Sequence, residues 1–209
     1  MKFKKKLLIL CLLFIYMLYT VYTAVKTNGY TIEEFMTSYF FNIQKIGLNL
    51  TVFSAILEFN DWVPILTPIY QTRLKKKKFI FSLTEITTKS LLISFLYLLT
   101  YLFFILLVGL SHFSVLDLGM IVLIHFCCSF LFFTIVTYIY LLTNKHTLAL
   151  IITSVFYFFT TAFILGIEYI AIIDSIGQFH AIYLTVIQFV TLGILIHMNW
   201  LFKKKECLQ

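Results

Sequence analysis

Residues 91–110 read LLISFLYLLTYLFFILLVGL, twenty consecutive positions without a charged side chain. An α-helix needs about 20 such residues to cross the hydrocarbon core of a bilayer. Lipid offers no hydrogen bonds, so a spanning segment must satisfy its own backbone, as a helix or as part of a closed barrel. A barrel strand alternates apolar and polar residues over roughly ten positions; this run does not alternate. The chain is therefore read as all-α, a polytopic membrane helix bundle. Composition agrees. Of 209 residues, 61% are hydrophobic and 12% charged, against about 45–50% and about 25% in a soluble domain. A soluble globular enzyme is excluded, and so is disorder, which needs low hydrophobicity and high charge.

Six spans are expected, at about 7–25, 36–57, 90–110, 120–142, 148–171 and 181–202, with both termini cytoplasmic. The second is the least sharply bounded. Thr31 and Glu34 have capping-box spacing, and Ile32, Phe35, Met36, Tyr39, Phe40 and Ile43 recur at helical intervals. Starting this span near Gly47 keeps the topology but places Glu58 in the membrane; starting it near Met36 places Lys45 there. Charge supports the even count. Lys2 and Lys4–Lys6 precede span one, Arg73 and Lys75–Lys78 follow span two, Lys145 separates spans four and five, and Lys203–Lys205 follow span six. Six spans put all of these inside, with Lys89 beside them, as the positive-inside rule requires. The outer connections carry Lys26, Glu33, Glu34, Asp117 and Asp174. The net charge of +7 thus reports topology and contact with anionic lipid rather than nucleic-acid binding. The first apolar run exceeds the 7–15 residues of a signal-peptide core and no small-residue cleavage site follows, so it is read as an uncleaved helix.

No motif of covalent chemistry is present. The chain lacks a phosphate-binding glycine loop, H-E-x-x-H, G-x-S-x-G and C-x-x-C. Catalytic, cofactor and metal sites are expected to be none. Cys127 and Cys128 diverge on a helix, and His125 and Cys127 do not share a face, so they read as small apolar fillers. His146 has no cysteine near it in sequence, which disfavours a membrane cysteine peptidase. Glu33 and Glu34 lie outside the membrane, which disfavours an intramembrane metalloprotease. Polar residues within spans either glue helices together or line a pathway. Asn49, Glu168 and Gln188 are the pathway candidates; Glu168 opens an apolar stretch, 167–181, that is either re-entrant or an outer loop.

The most informative stretch is 58–78. It opens with Glu58, carries Trp62 suited to a membrane interface, and is broken by Pro64 and Pro68 before Arg73 and the lysines ending at Lys78. A short amphipathic piece along the inner surface is expected, and Ser82–Glu85 has the spacing of a helix start. These residues resemble the coupling segment of type-2 ABC transporter permeases. Glu58 matches the acidic residue opening that loop, Ile65-Leu66-Thr67-Pro68 its leucine-rich step to proline, Arg73 its arginine and Lys78 the lysine before span three. The Gly-Thr of the family is replaced by Asn60-Asp61-Trp62, and the gap from Pro68 to Arg73 is longer. The small size is similar to short Gram-positive permeases for bacteriocin or peptide export and self-immunity.

The resemblance implies a membrane-spanning permease subunit in a bacterial cell membrane, exporting a peptide, bacteriocin or other amphipathic substrate. A cytoplasmic ATP-binding subunit would dock on Glu58, Trp62, Pro68, Arg73 and Lys78, and a second permease chain or another copy would complete the pathway. The alternative is a stand-alone immunity or toxin-binding protein acting through 26–38 and 168–180. A vitamin-importer binding subunit is disfavoured by the few polar groups in the outer half. The topology has a direct check. A Lys77→Cys chain with its native cysteines replaced by serine is expected to react with an impermeant maleimide in inverted vesicles and not in intact cells.

Overall fold

The computed structural model describes residues 2–27, 36–40, 49–50, 52, 78–109, 114–145, 147–157, 159 and 176–207. All regular structure among them is helical. In chain order the elements are α1 (Lys2–Thr27), a π-helical turn (Met36–Phe40), α2 (Lys78–Val108), α3 (Val115–Thr143), α4 (Thr147–Tyr157) and α5 (Ile176–Cys207). Three stretches are long and apolar enough to cross a membrane: Phe79–Val108, Val115–Thr143 and Leu184–Lys203. The bundle is that of a protein compatible with several membrane passes.

Helix α1 contains the first expected span, α3 the fourth and α5 the sixth. Helix α4 covers the first part of the fifth expected span; its remainder and most of the second fall outside the described residues. Helix α2 begins at Lys78 rather than near Ser82 or Ser90. Ser82 is not a cap but a buried residue in its second turn. Lys89, expected in the cytoplasmic connection, is also buried inside this helix. Both differences have one cause. Glu85 stands four residues before Lys89, the favourable order for an ion pair along a helix, and its Oε1 lies 3.0 Å from Lys89 Nζ. Paired charges let the helix run through a stretch that unpaired charges would end.

The helix ends are set by local backbone chemistry. Gly109 takes φ 120°, and its N–H donates to Ile105 O at 2.8 Å. Such a positive φ suits glycine, which lacks a Cβ. Ser114 is extended, and its Oγ accepts from Asp117 N–H at 3.3 Å, capping α3; Asp117 also complements the helix dipole. At the far end Asn144 adopts φ 54°, its N–H donating to Tyr140 O at 2.8 Å. Asparagine is among the few residues that tolerate that geometry.

Helices α2 and α3 form the dominant pair; α5 packs on α3, and α1 on α2. Lys89 Nζ lies 5.5 Å from the Phe133 ring centroid, and Tyr97 stacks on His125. Equal steps up α2 and back along α3 connect these two contacts, so the pair is antiparallel, with Ser94 level with Cys128. Helix α3 is the centre: 67% of its apolar window is buried, against 22% for α5. Phe132 is fully buried, while Phe189 of α5 is 71% exposed. At one end of the bundle Leu141, Met198 and Phe202 pack with Phe79, the Phe79 and Phe202 rings 6.1 Å apart. That cluster gathers the ends of α2, α3 and α5 that carry Lys78, Lys145 and Lys203.

Phe132→Ala is expected to cost about 3–5 kcal/mol of stability, seen as a lowered midpoint of thermal unfolding in detergent. Phe189→Ala, on the exposed side of α5, is expected to move it little.

Candidate functional site

The apolar helices α2 and α3 meet along a polar seam. On α2 the positions Ser90, Ser94, Tyr97 and Tyr101 recur at helical intervals and are all buried, as are Ser82 and Lys89. On α3, His125, Cys128 and Ser129 face them and are fully buried. Most of the hydroxyls are occupied within their own helices. Ser90 Oγ donates to Ile86 O at 2.8 Å, Ser94 Oγ to Ser90 O at 2.9 Å, and Ser129 Oγ to His125 O. This back-bonding uses the hydroxyl proton and leaves oxygen lone pairs as acceptors along the seam.

At the middle of the seam the His125 and Tyr97 rings are stacked, centroids 3.6 Å apart and planes 9° from parallel. Asn49 Nδ2 donates to Tyr97 Oη at 2.7 Å. The π-helical turn closes the site from the other side. Phe40 is fully buried, its ring edge-on to Tyr101 at 5.7 Å, and its backbone carbonyl approaches His125 without completing a well-formed hydrogen bond. Neither ring nitrogen of His125 has a hydrogen-bond partner among the described residues. A buried polar group left unpaired costs about 1–3 kcal/mol. π-helical turns recur at functional sites, and non-helical backbone at membrane depth is tolerated where protein encloses it.

The seam has distinct ends. Towards Lys78 lies the Glu85–Lys89 pair, with Lys89 over the Phe133 ring. Towards Val108, Tyr101 Oη lies 3.4 Å from both the backbone N and O of Ser114, the residue that caps Asp117. A groove of about 470 Å³ runs alongside, between Thr88, Leu91, Phe95 and Leu98 of α2 and Val122 of α3. Its walls are almost wholly apolar, so the polar chemistry belongs to the seam. Away from the seam, His197 Nδ1 lies 2.9 Å from Tyr138 Oη and its ring stacks on Trp200 at 5.4 Å. This cluster lies near Lys203, where a membrane interface favours aromatic residues with polar tips.

Of the sequence-derived candidates, Asn49 joins the site through Tyr97. Gln188 sits on the exposed side of α5, its side chain near Cys127 at the edge of α3. Lys78 is the first residue of α2. Glu58, Trp62, Pro68, Arg73 and Glu168 lie outside the described residues. His125, Tyr97, Glu85 and Lys89 were not singled out by sequence as functional. The signal for them is the i, i+4, i+7 and i+11 spacing of Ser90, Ser94, Tyr97 and Tyr101 on a helix otherwise apolar all round. Among the described residues no group of three His, Cys, Asp or Glu side chains is placed to hold a metal ion.

No family model, curated protein or solved structure matches this chain.

Tyr97→Phe removes the bond to Asn49 and is expected to cost about 0.6–1.7 kcal/mol, the range for hydrogen bonds between membrane helices. His125→Leu is expected to leave the unfolding midpoint in detergent unchanged or raised. It loses a ring stack worth about 0.5–1.5 kcal/mol and removes an unpaired polar group costing about 1–3 kcal/mol.

Proposed function

We propose that this chain is the membrane-spanning permease subunit of an ABC-type exporter, powered by a separate cytoplasmic ATPase. It crosses the membrane six times with both termini inside, the second and fifth spans completing the three long apolar helices and α1. Its substrate is a peptide, bacteriocin or similar amphipathic molecule, and its setting is a Gram-positive cell membrane. A second copy or a related chain supplies the other half of the pathway.

One observation carries this reading: α2 is a single unbroken helix from Lys78, the last residue of the coupling segment, to Val108. Movement of the Lys78 end of α2 is therefore carried along continuous helix to the α2–α3 seam. Side-chain packing at the Lys78 end reinforces this, because Phe79 is held by Phe202 and the Leu141 cluster. The same cluster brings the lysine-bearing ends of α2, α3 and α5 to one face, which supports the inside-positive topology. The ATP site would belong wholly to the partner, since the chain carries no phosphate-binding loop.

The experiment is affinity purification of the tagged chain from its own cell, with export measured in parallel. Wild type is expected to bring down a nucleotide-binding protein. Arg73→Ala and Pro68→Ala are expected to insert normally but to lose that partner and export together. Normal export by both variants with no ATPase retained would overturn the reading.

A further inference from the structure

The polar groups of the α2–α3 seam form a column rather than a patch. From the Lys78 end they are Glu85, Lys89, Ser90, Ser94, Tyr97 and Tyr101 on α2. Between Glu85 and Tyr101 the helix rises about 24 Å, most of the roughly 30 Å hydrocarbon core. Beyond it, Tyr101 Oη meets the backbone N and O of Ser114, whose Oγ accepts from the Asp117 backbone N–H. Carboxylate-bearing residues, Glu85 and Asp117, thus stand at its two ends, and the polar side chains between them along the seam are hydroxyls, an amine and an imidazole.

His125 lies near the column's midpoint, fully buried and unbonded at both ring nitrogens among the described residues. The groups facing it are Tyr97 of α2, with Asn49 bonded to that tyrosine, and the backbone carbonyl of Phe40 from the π-helical turn. Tyr39 of the same turn and Cys128 of α3 stand close to Tyr97. Interhelical glue would be expected to pair such a group; a neutral imidazole with both nitrogens unengaged is suited to take a proton on one and give one from the other.

We propose that the α2–α3 seam conducts protons across the membrane, with His125 as the central relay between Glu85 and Asp117. A proton arriving at the free ring nitrogen forms a new N–H bond. The proton on the other nitrogen leaves to the next hydroxyl oxygen, and exchange of the ring tautomer resets the site. Only N–H and O–H bonds change, so the step needs no oxidant or reductant. Successive members of the column are about one helical turn, 5.4 Å, apart, a gap closed by a rotating hydroxyl or one bridging water. This conduction does not depend on the ATPase reading; it needs only that α2 and α3 span the bilayer.

The test uses the purified full-length chain in vesicles containing a pH-sensitive dye, with a valinomycin-clamped potassium gradient as the driving force. Wild-type vesicles are expected to take up protons faster than protein-free vesicles. His125→Leu is expected to fall to the protein-free rate, and His197→Leu, off the seam, to keep the wild-type rate. Wild-type uptake no faster than in protein-free vesicles overturns the proposal. So does wild-type uptake by His125→Leu, or equal loss in His197→Leu. If His125→Leu does not incorporate, Tyr97→Phe takes its place: slowed uptake supports the column, and an unchanged rate overturns it.

Discussion

Hydrocarbon accepts no hydrogen bond, and that one fact decides how α2 and α3 must meet. Each carries serine, threonine or tyrosine at positions where lipid would leave the hydroxyls stranded. The threonines and serines fold their protons back onto the preceding turn, as Ser90, Ser94 and Thr100 do on α2 and Ser129 and Thr134 on α3. The larger polar groups are too long for that solution and find side-chain or loop partners instead. Tyr97 reaches Asn49, Tyr101 reaches Ser114, and Lys89 reaches Glu85 and the Phe133 ring. The antiparallel register of the pair, and its burial beneath α1, α5 and the π-helical turn, follow from keeping these groups out of lipid.

That arrangement also explains the outer surface. A helix buried at the centre is apolar on all sides, and α3 fits this description. Helix α5 exposes Phe189, Leu192, Ile196 and Trp200, as a lipid-facing helix should. In water, an exposed set of that size would mark an interface or an aggregation hazard; in a bilayer it is ordinary surface. The ends of the helices show the complementary rule. Asp117 sits in the first turn of α3, and lysines flank the opposite end of the bundle, so local helix dipoles and overall charge asymmetry favour the same orientation.

Helix class and the positions of α1 and α3 were legible in the sequence, because unbroken apolar runs have few alternatives in lipid. The start of α2 was not. A capping-box spacing at Ser82–Glu85 pointed to a boundary, yet the glutamate's partner proved to be Lys89 one turn on. Spacing alone cannot separate a carboxylate that reaches back to a cap from one that reaches forward to a cation. Asn49 was legible as a polar intruder on an apolar stretch. Sequence sets His125 beside Cys127, whereas its neighbour in space is Tyr97 on another helix. A stack between residues that far apart leaves no trace in a local pattern. The polar stripe of α2 did leave one, but each serine or tyrosine alone looks like ordinary helix glue.

The energetics of the seam separate its structural members from its costly one. The Tyr97–Asn49 bond contributes about 0.6–1.7 kcal/mol, as other bonds between membrane helices do. The back-bonded hydroxyls are close to neutral, having exchanged one acceptor for another. His125 is different, because ring nitrogens without a partner among the described residues cost about 1–3 kcal/mol, against about 0.5–1.5 kcal/mol from its stack on Tyr97. A leucine there would fill the space with no polar atom to satisfy. The imidazole therefore does not hold the pair together; the pair, fixed by Tyr97, Lys89 and the packing of Phe132 and Phe133, holds the imidazole. Real proteins break local rules mainly where function demands it, and His125 is such a position among the described residues.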